Sequence, residues 1–300
     1  MPRCITASLI NANLKARIPW FLKILAKVAL SRLPIRDKQW QKLNLFRAGT
    51  MDSPEFAFSI FKNHYEESGL TTLKDCAVLE LGPGNGLLTA LYARSFGATR
   101  TWLIDAGQLA SIDVCLFVEG ERVLSTLNLP VPHVGRASSM EIALEQLNAI
   151  YLTRGLASLQ TVPDETIDFM FSNAVLEHVR LSEFAKTVGE MRRVLKPNGV
   201  ATHQIDFRDH LQNGLNNLRF NERIWESEFM ASSGFYTNRL NWPAMEKLFR
   251  DADLSVELRS VKTWPKGLPT RQRGMARPFR NMPANELMVM DAKVVLRPRS

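Results

Sequence analysis

Glu80-Leu81-Gly82-Pro83-Gly84-Asn85-Gly86 is the stretch whose reading decides the fold. It closes the short apolar run Ala77 to Leu81, read as a strand, and opens a helical pattern from Gly86 to Phe96 that stops at Gly97. Glycines permit the tight turn and let backbone approach a ligand without a Cβ in the way. A strand that turns through such a loop into a helix is where an open α/β sheet seats a nucleotide-like ligand. Asp105 follows Gly82 by 23 positions, at the end of a second apolar run, Thr101 to Asp105. A carboxylate placed there can accept hydrogen bonds from both hydroxyls of a ribose.

Two cofactors compete for this geometry. A dinucleotide fingerprint is G-x-G-x-x-G, with the helix N-terminus aimed at a pyrophosphate. Here the spacing is G-x-G-x-G and an acid, Glu80, precedes it. A carboxylate beside the loop repels a pyrophosphate but suits the cationic amino group and sulfonium of S-adenosylmethionine. The charge logic selects the methyl donor over a nicotinamide cofactor. A tight structural turn without a ligand is the plainer alternative.

Outward from the loop, the chain alternates. Ser111 to Leu147 reads as helical but is broken at Pro130 and Pro132. Ala149 to Leu152 and Ile167 to Ser172 read as strands, and Ser182 to Leu195 as a helix with Phe184, Val188, Met191 and Leu195 on one face. Lys196 to Gly199 is a turn before a fifth strand, Val200 to Ile205. Strands apolar on both faces, alternating with helices, predict a parallel sheet covered on both sides. Pro243 opens a helix to about Ala252. Leu254, Val256 and Leu258 then alternate, as do Leu287, Val289, Ala292, Val294 and Leu296, predicting late strands that close the sheet with an antiparallel edge. Before the loop, Ser53-Pro54-Glu55 is a helix start, Phe58, Phe61 and Tyr65 share a face, and Gly69 ends the helix. The expected architecture is α/β: a doubly wound, Rossmann-like, mostly parallel sheet with a C-terminal antiparallel edge and an N-terminal helical cap. Residues 1–73 form the cap, 74–210 the donor-binding core, and 211–300 a substrate-shaping extension.

Across residues 74–210 the chain resembles the class I S-adenosylmethionine-dependent methyltransferases, in the branch acting on small molecules, sugars and quinones. Ala77 to Leu88 looks like their first motif and Leu103 to Ala106 their second. Phe169 to His178 looks like the strand-four motif, and Val194 to Gly199 like the turn before strand five. The resemblance implies a donor site lined by Glu80, Gly82, Pro83, Gly84, Asn85, Gly86, Asp105, Ala106, Asn173, Ala174 and Val175. Many relatives carry an acid after strand three to meet adenine. This chain has Arg154, Gly155, Leu156 and Ala157 there, which puts adenine against Leu156 and Ala157. Amino-methylating relatives hold a planar nitrogen with an Asn-Pro-Pro-aromatic or Asp-Pro-Pro-aromatic run. Asn173-Ala174-Val175-Leu176 takes that place here, which disfavours nucleic-acid methylation.

Methyl transfer is an in-line displacement at carbon, so alignment supplies most of the catalysis. A hydroxyl acceptor also needs a base within hydrogen-bond reach. The C-terminal ends of the strands offer His178 after strand four, and His203, Asp206, Asp209 and His210 around the end of strand five. Asp206 and His210 are selected for acceptor binding and proton removal, with His178 next. His203 reads as a core residue, and Glu177 with His178 as a loop pin. His203, Asp206, Asp209 and His210 together are also a metal-ligand composition, but strand alternation turns His203 and Asp206 to opposite faces, so a metal-free mechanism is expected. Trp225, Phe235 and Tyr236 are lid or core residues. Arg219, Arg223 and Arg239 either meet an acidic group of the acceptor or make surface ion pairs.

With 45% hydrophobic and 23% charged residues in 300, the composition excludes a disordered chain. The net charge of +8 includes a run from Lys262 to Arg280 with six basic residues and no acid, read as a solvated loop or a phosphate contact. The expected partner is a small acceptor, saccharide-like or phosphate-bearing. Three widely spaced cysteines, Cys4, Cys76 and Cys115, read as reduced thiols of a cytoplasmic protein. No run approaches the ~20 apolar residues of a membrane span. Residues 14–30 do form an amphipathic pattern, with Leu14, Ile18, Phe21, Leu22, Leu25 and Val28 on one face and Lys15, Arg17, Lys23 and Lys27 elsewhere. Too charged for a signal peptide, it packs on the core as a cap or lies on the inner face of an anionic membrane. A nicotinamide-dependent oxidoreductase and a non-catalytic donor-binding scaffold are the rival functions.

Overall fold

Seven strands alternate with helices in a computed structural model that describes residues 51–299 apart from 112 and 212–213. The amphipathic segment at 14–30 and Cys4 lie outside the described residues. The strands are β1 (Ala77–Leu81), β2 (Arg100–Ile104), β3 (Ala149–Leu152), β4 (Ile167–Asn173), β5 (Leu195–Asp206), β6 (Leu254–Thr263) and β7 (Val289–Pro298). The helices are α1 (Pro54–Ser68), α2 (Leu88–Ser95), α3 (Cys115–Thr126), α4 (Met140–Gln146), α5 (Leu156–Leu159), α6 (Leu181–Val194), α7 (Glu222–Trp225), α8 (Glu228–Ala231), α9 (Trp242–Asp251) and α10 (Arg277–Arg280).

The strand order is β3-β2-β1-β4-β5-β7-β6. The first five strands pair in parallel, and β7 runs antiparallel to both β5 and β6. The α/β class and the antiparallel edge are as expected. A dinucleotide-binding sheet has its sixth strand beside the fifth. Here the last strand folds back and inserts between β5 and β6.

Both faces are covered. Phe58, Phe61, Leu88, Leu91, Tyr92, Phe117 and Leu124 from α1, α2 and α3 pack on Val78, Leu103, Phe169 and Phe171. On the other face Phe184, Val188 and Met191 of α6, with Met245 and Phe249 of α9, pack on Leu79, Leu81, Met170 and Ile205. Strand alternation therefore turns Glu80, between Leu79 and Leu81, toward the α1–α3 side.

Several boundaries differ from expectation for physical reasons. The first turn of α1 carries Pro54, but the Ser53 side chain makes no capping bond. Gly69 ends that helix in the left-handed region, φ 74°. The helix after the glycine loop begins at Leu88 rather than Gly86. The prolines at 130 and 132 split the expected long helix into α3 and α4. Lys196 to Gly199 bulges out of β5, because pairing with β4 jumps from Ile167–Leu195 to Phe169–Val200. Leu287 lies in a 3₁₀ turn instead of a strand, and β6 runs on to Thr263 because pairing with β7 holds its polar residues too.

Candidate active site

The glycine loop leaves β1 with Gly82 and Gly84 in the left-handed region, φ 70° and 67°. A Cβ on Gly82 would collide with the Val175 side chain, so this glycine admits the strand-four loop. A Cβ on Gly84 would meet nothing within 4 Å, so there the loop faces open space. Gly86 differs: a Cβ would collide with the Met51 carbonyl oxygen. That glycine accommodates the backbone leading into α1, a role its place in the motif does not reveal.

Glu80 is buried beside the loop, and its Oε2 has no hydrogen-bond partner. Burial pushes its carboxyl up to about 8, with the charge of Asp105 adding and the Thr89 hydroxyl opposing. Asn85 Oδ1 is likewise buried without a partner. The Asp105 carboxylate accepts the Gly84 N–H (2.9 Å) and the Ala106 N–H (2.7 Å). Burial raises its pKa, and those two amides work against the rise. Asp105 thus holds the loop now, and ribose hydroxyls would compete for the same oxygens.

Leu156 and Ala157 open the short helix α5 after β3, half-buried and exposed respectively. They come near the second motif through Gly155, whose N–H donates to the Asp105 carbonyl at 2.8 Å. Asn173, Ala174 and Val175 leave β4 half-buried. Ala174 has φ 54°, an uncommon conformation for a residue with a Cβ, and its N–H donates to the Gln204 carbonyl (2.9 Å). Val175, the next residue, packs over Gly82.

The residues selected for chemistry divide. His178 and His210, 32 positions apart, bring their Nε2 atoms to 3.0 Å. His178 Nδ1 lies 2.7 Å from the Tyr236 carbonyl. His178 is exposed as a residue, yet desolvation at its ring, with the charge of His210 adding, lowers its pKa. Asp206 does not stand ready as a base: Arg208 binds both its oxygens, Nε to Oδ1 at 2.8 Å and Nη2 to Oδ2 at 2.6 Å. Its backbone N–H instead donates to Glu177 Oε1 (3.3 Å).

Among the described residues, His203, Asp206, Asp209 and His210 do not gather as a ligand set. His203 is buried in β5 with Nδ1 2.7 Å from Ser172 Oγ. Asp209 is buried and accepts from the Leu211, Gly214 and Asn216 amides, closing its own loop. What gathers instead is Glu177, His178 and His210, whose ligand atoms lie within 4.8 Å of one another. Glu177 is 2% exposed and its Oε2 has no partner. Burial, with the charges of Asp206 and Asp291 adding, holds this carboxyl well above the ordinary range. The sequence presents Glu177 as a loop pin, and an acid at the end of the apolar strand-four motif is the only local signal of a second role.

Beside this cluster lies a recess of about 400 Å³ lined in part by Glu177, Asp206, Asn217, Thr237, Arg239 and Glu286. A second, about 310 Å³, opens between α1 and β5 around His64, Asn173 and His203. The glycine loop lines neither. The Arg239 side chain is 4% exposed, reaches Glu226 at 3.5 Å and lies over the Trp225 and Phe279 rings. Its Nε has no partner, and its backbone sits at φ 59°. Arg219 bonds Asn216 Oδ1, and Arg223 is exposed. Trp225, Phe235 and Tyr236 form a buried cluster with Leu211 and Met230, so they are core.

Residues 134–202 match the family described as Methyltransferase domain (Methyltransf_11), spanning β3 to β5; the glycine loop lies before the matched residues. No curated protein matches the sequence. Among solved structures, the YcgJ protein of Bacillus subtilis is 15% identical, with TM-score 0.45 over 82% of this chain and 99% of that one. An S-adenosylmethionine-dependent methyltransferase of Mesorhizobium loti is 16% identical, TM-score 0.43, over 83% and 98%. Phosphoethanolamine N-methyltransferase 2 of Haemonchus contortus, solved with S-adenosyl-L-methionine, is 12% identical, TM-score 0.44, over 81% and 53%. Residues 134–202 are thus similar to a methyltransferase domain, the enzyme class expected from the loop.

Proposed function

We propose that this enzyme methylates a hydroxyl of a small, anionic, saccharide-like or phosphate-bearing acceptor seated in the recess between Glu177 and Arg239. The observation that carries the donor half is Glu80, a buried carboxyl with an unpartnered oxygen beside a glycine loop that faces open space at Gly84. A buried polar atom without a partner costs about 1–3 kcal/mol, and a cationic ligand group would remove that cost. The residues present therefore fit S-adenosylmethionine. Glu80 would meet its amino group, Asp105 its ribose, and Leu156 with Ala157 its adenine. When bound, the donor supplies an electrophilic methyl on a sulfonium that leaves as a neutral thioether.

On the acceptor side, Arg239 is the group that would take an acidic substituent. It is desolvated, held over two aromatic rings, and retains an unpartnered N–H. His178 and His210 stand where β4 and β5 end and would receive the hydroxyl proton. Asp206, occupied by Arg208, acts as a positioning residue by anchoring Glu177. Contact of residues 14–30 with an anionic membrane belongs to the same proposal, as a means of reaching a lipid-linked acceptor.

Calorimetry tests the donor half. S-adenosylmethionine or its demethylated product should bind in the micromolar range and NAD should not. Asp105→Ala should weaken donor binding by about 1–3 kcal/mol. Tight NAD binding without donor binding would overturn the reading. Incorporation of labelled methyl groups into hydroxylated, phosphate-bearing small molecules tests the acceptor half, and Arg239→Met should raise KM more than it lowers kcat.

A further inference from the structure

Glu177, His178 and His210 bring three ligand-type atoms together where β4 and β5 end. A backbone carbonyl only accepts, so His178 must donate from Nδ1 to Tyr236 O, and its Nε2 carries a lone pair. That lone pair accepts the His210 Nε2–H at 3.0 Å, a proton an incoming cation would displace. The two rings are nearly parallel, 16° between planes with centroids 4.7 Å apart, and meet through their Nε2 atoms. Two nitrogens bound at about 2.0–2.1 Å to one ion, at 90–109°, stand about 2.9–3.3 Å apart. Glu177 adds a third ligand atom within 4.8 Å, on a side chain 98% removed from solvent whose Oε2 has no partner. Tyr236 O supplies the outer hydrogen bond that fixes the tautomer of a metal-bound histidine.

We propose that Glu177, His178 and His210 bind a divalent first-row transition ion, such as Mn²⁺, Co²⁺ or Zn²⁺, beside the acceptor recess, which Glu177 lines. Two imidazoles and one carboxylate favour such ions over Mg²⁺ and Ca²⁺, which prefer all-oxygen shells. Three protein ligands leave positions open, as in catalytic metal sites. This rests on the reading of the recess as the acceptor site. The ion would hold the acceptor hydroxyl and lower its pKa, and its proton would pass to water as the oxygen takes the methyl group. The metal-free mechanism expected from the sequence would then be replaced.

The test titrates Co²⁺ and Mn²⁺ into full-length protein stripped with a chelator, followed by the visible cobalt spectrum and by calorimetry. About one equivalent should bind saturably, more tightly than Mg²⁺. His210→Ala and Glu177→Gln should each weaken binding by at least about tenfold, with donor affinity unchanged in the same samples. His210 is on the loop side of the cluster, so its variant remains informative if Glu177→Gln fails to fold. No saturable binding, or equal binding by wild type and His210→Ala, overturns the site. Donor binding persisting alongside that negative result would leave the methyltransferase reading standing with the histidines as bases.

Discussion

In the proposed donor site Glu80 would link protonation to donor binding. Its folded pKa of about 8 lies above the ordinary 4.5, so in the donor-free protein its contribution to stability is fully present below pH 4.5 and is lost as pH rises through 8. A cationic donor favours the carboxylate, so binding expels a proton whenever Glu80 starts protonated. Donor affinity should therefore rise from pH 6 to 8, by at most about tenfold per pH unit, and level off above 8. Calorimetry in buffers of different ionisation enthalpy measures the released proton directly. In Glu80→Gln the slope should vanish, whereas a flat wild-type profile would show that Glu80 does not meet the donor. Gly86 makes a separate statement. Gly86→Ala drives a Cβ into the Met51 backbone, which cannot rotate away, and should destabilise the fold by about 1–3 kcal/mol in denaturant titration. Gly84→Ala has no such collision and should act mainly through its φ of 67°. Equal stability of Gly86→Ala and wild type would remove the contact between the loop and the segment before α1.

At the scale of elements, the end of β4 stores strain. Ala174 at φ 54° is held by its bond to the Gln204 carbonyl and by Val175 against Gly82. Left-handed backbone costs about 1–2 kcal/mol for a residue with a Cβ, while glycine adds about 0.5–1 kcal/mol of chain entropy to the unfolded state. Ala174→Gly should accordingly leave stability unchanged or raise it by up to about 1 kcal/mol. A loss above 1 kcal/mol in the denaturation midpoint would mean that the methyl group itself is packed. The helix α1 shows the same coupling between elements: His64 bonds Thr202 of β5 at 2.9 Å and Ser68 O accepts from Arg297 of β7 at 2.8 Å. One helix therefore ties β5 to the C-terminal hairpin.

For the whole molecule, the placement of β7 decides how separable the C-terminal third is. β7 pairs with β5 from Ala201–Leu296 to Asp206–Asp291, and buries Ala292, Val294, Val295 and Leu296. A chain ending at residue 210 would expose the β5 edge and the apolar faces these residues cover, a template for aggregation. Expression of residues 1–210 should give insoluble protein, and a soluble monomer that binds the donor would show the extension to be dispensable. Arg239, Trp225 and most of the recess lining also come from this third of the chain. The strained, buried arginine was one of three candidates in the sequence, and nothing in its local pattern marked it, because its partners Phe220, Glu226 and Phe279 are brought together only by the folded extension.

The sequence by itself determined what depends on neighbours along the chain. Period-two and helical apolar patterns gave the order of strands and helices. The acid, the glycine spacing and Asp105 gave the turn proposed to hold the donor, because turn geometry and charge act over a few residues. Tertiary structure decided whatever depends on contacts across the fold. It inserted β7 between β5 and β6, spent Asp206 on Arg208 and Asp209 on its own loop, and gave Gly86 to the Met51 backbone. It also brought His210 to His178 across 32 residues and left a Glu177 oxygen buried beside them. Such pairings follow from which strand ends lie adjacent in the sheet, and no local periodicity encodes that adjacency.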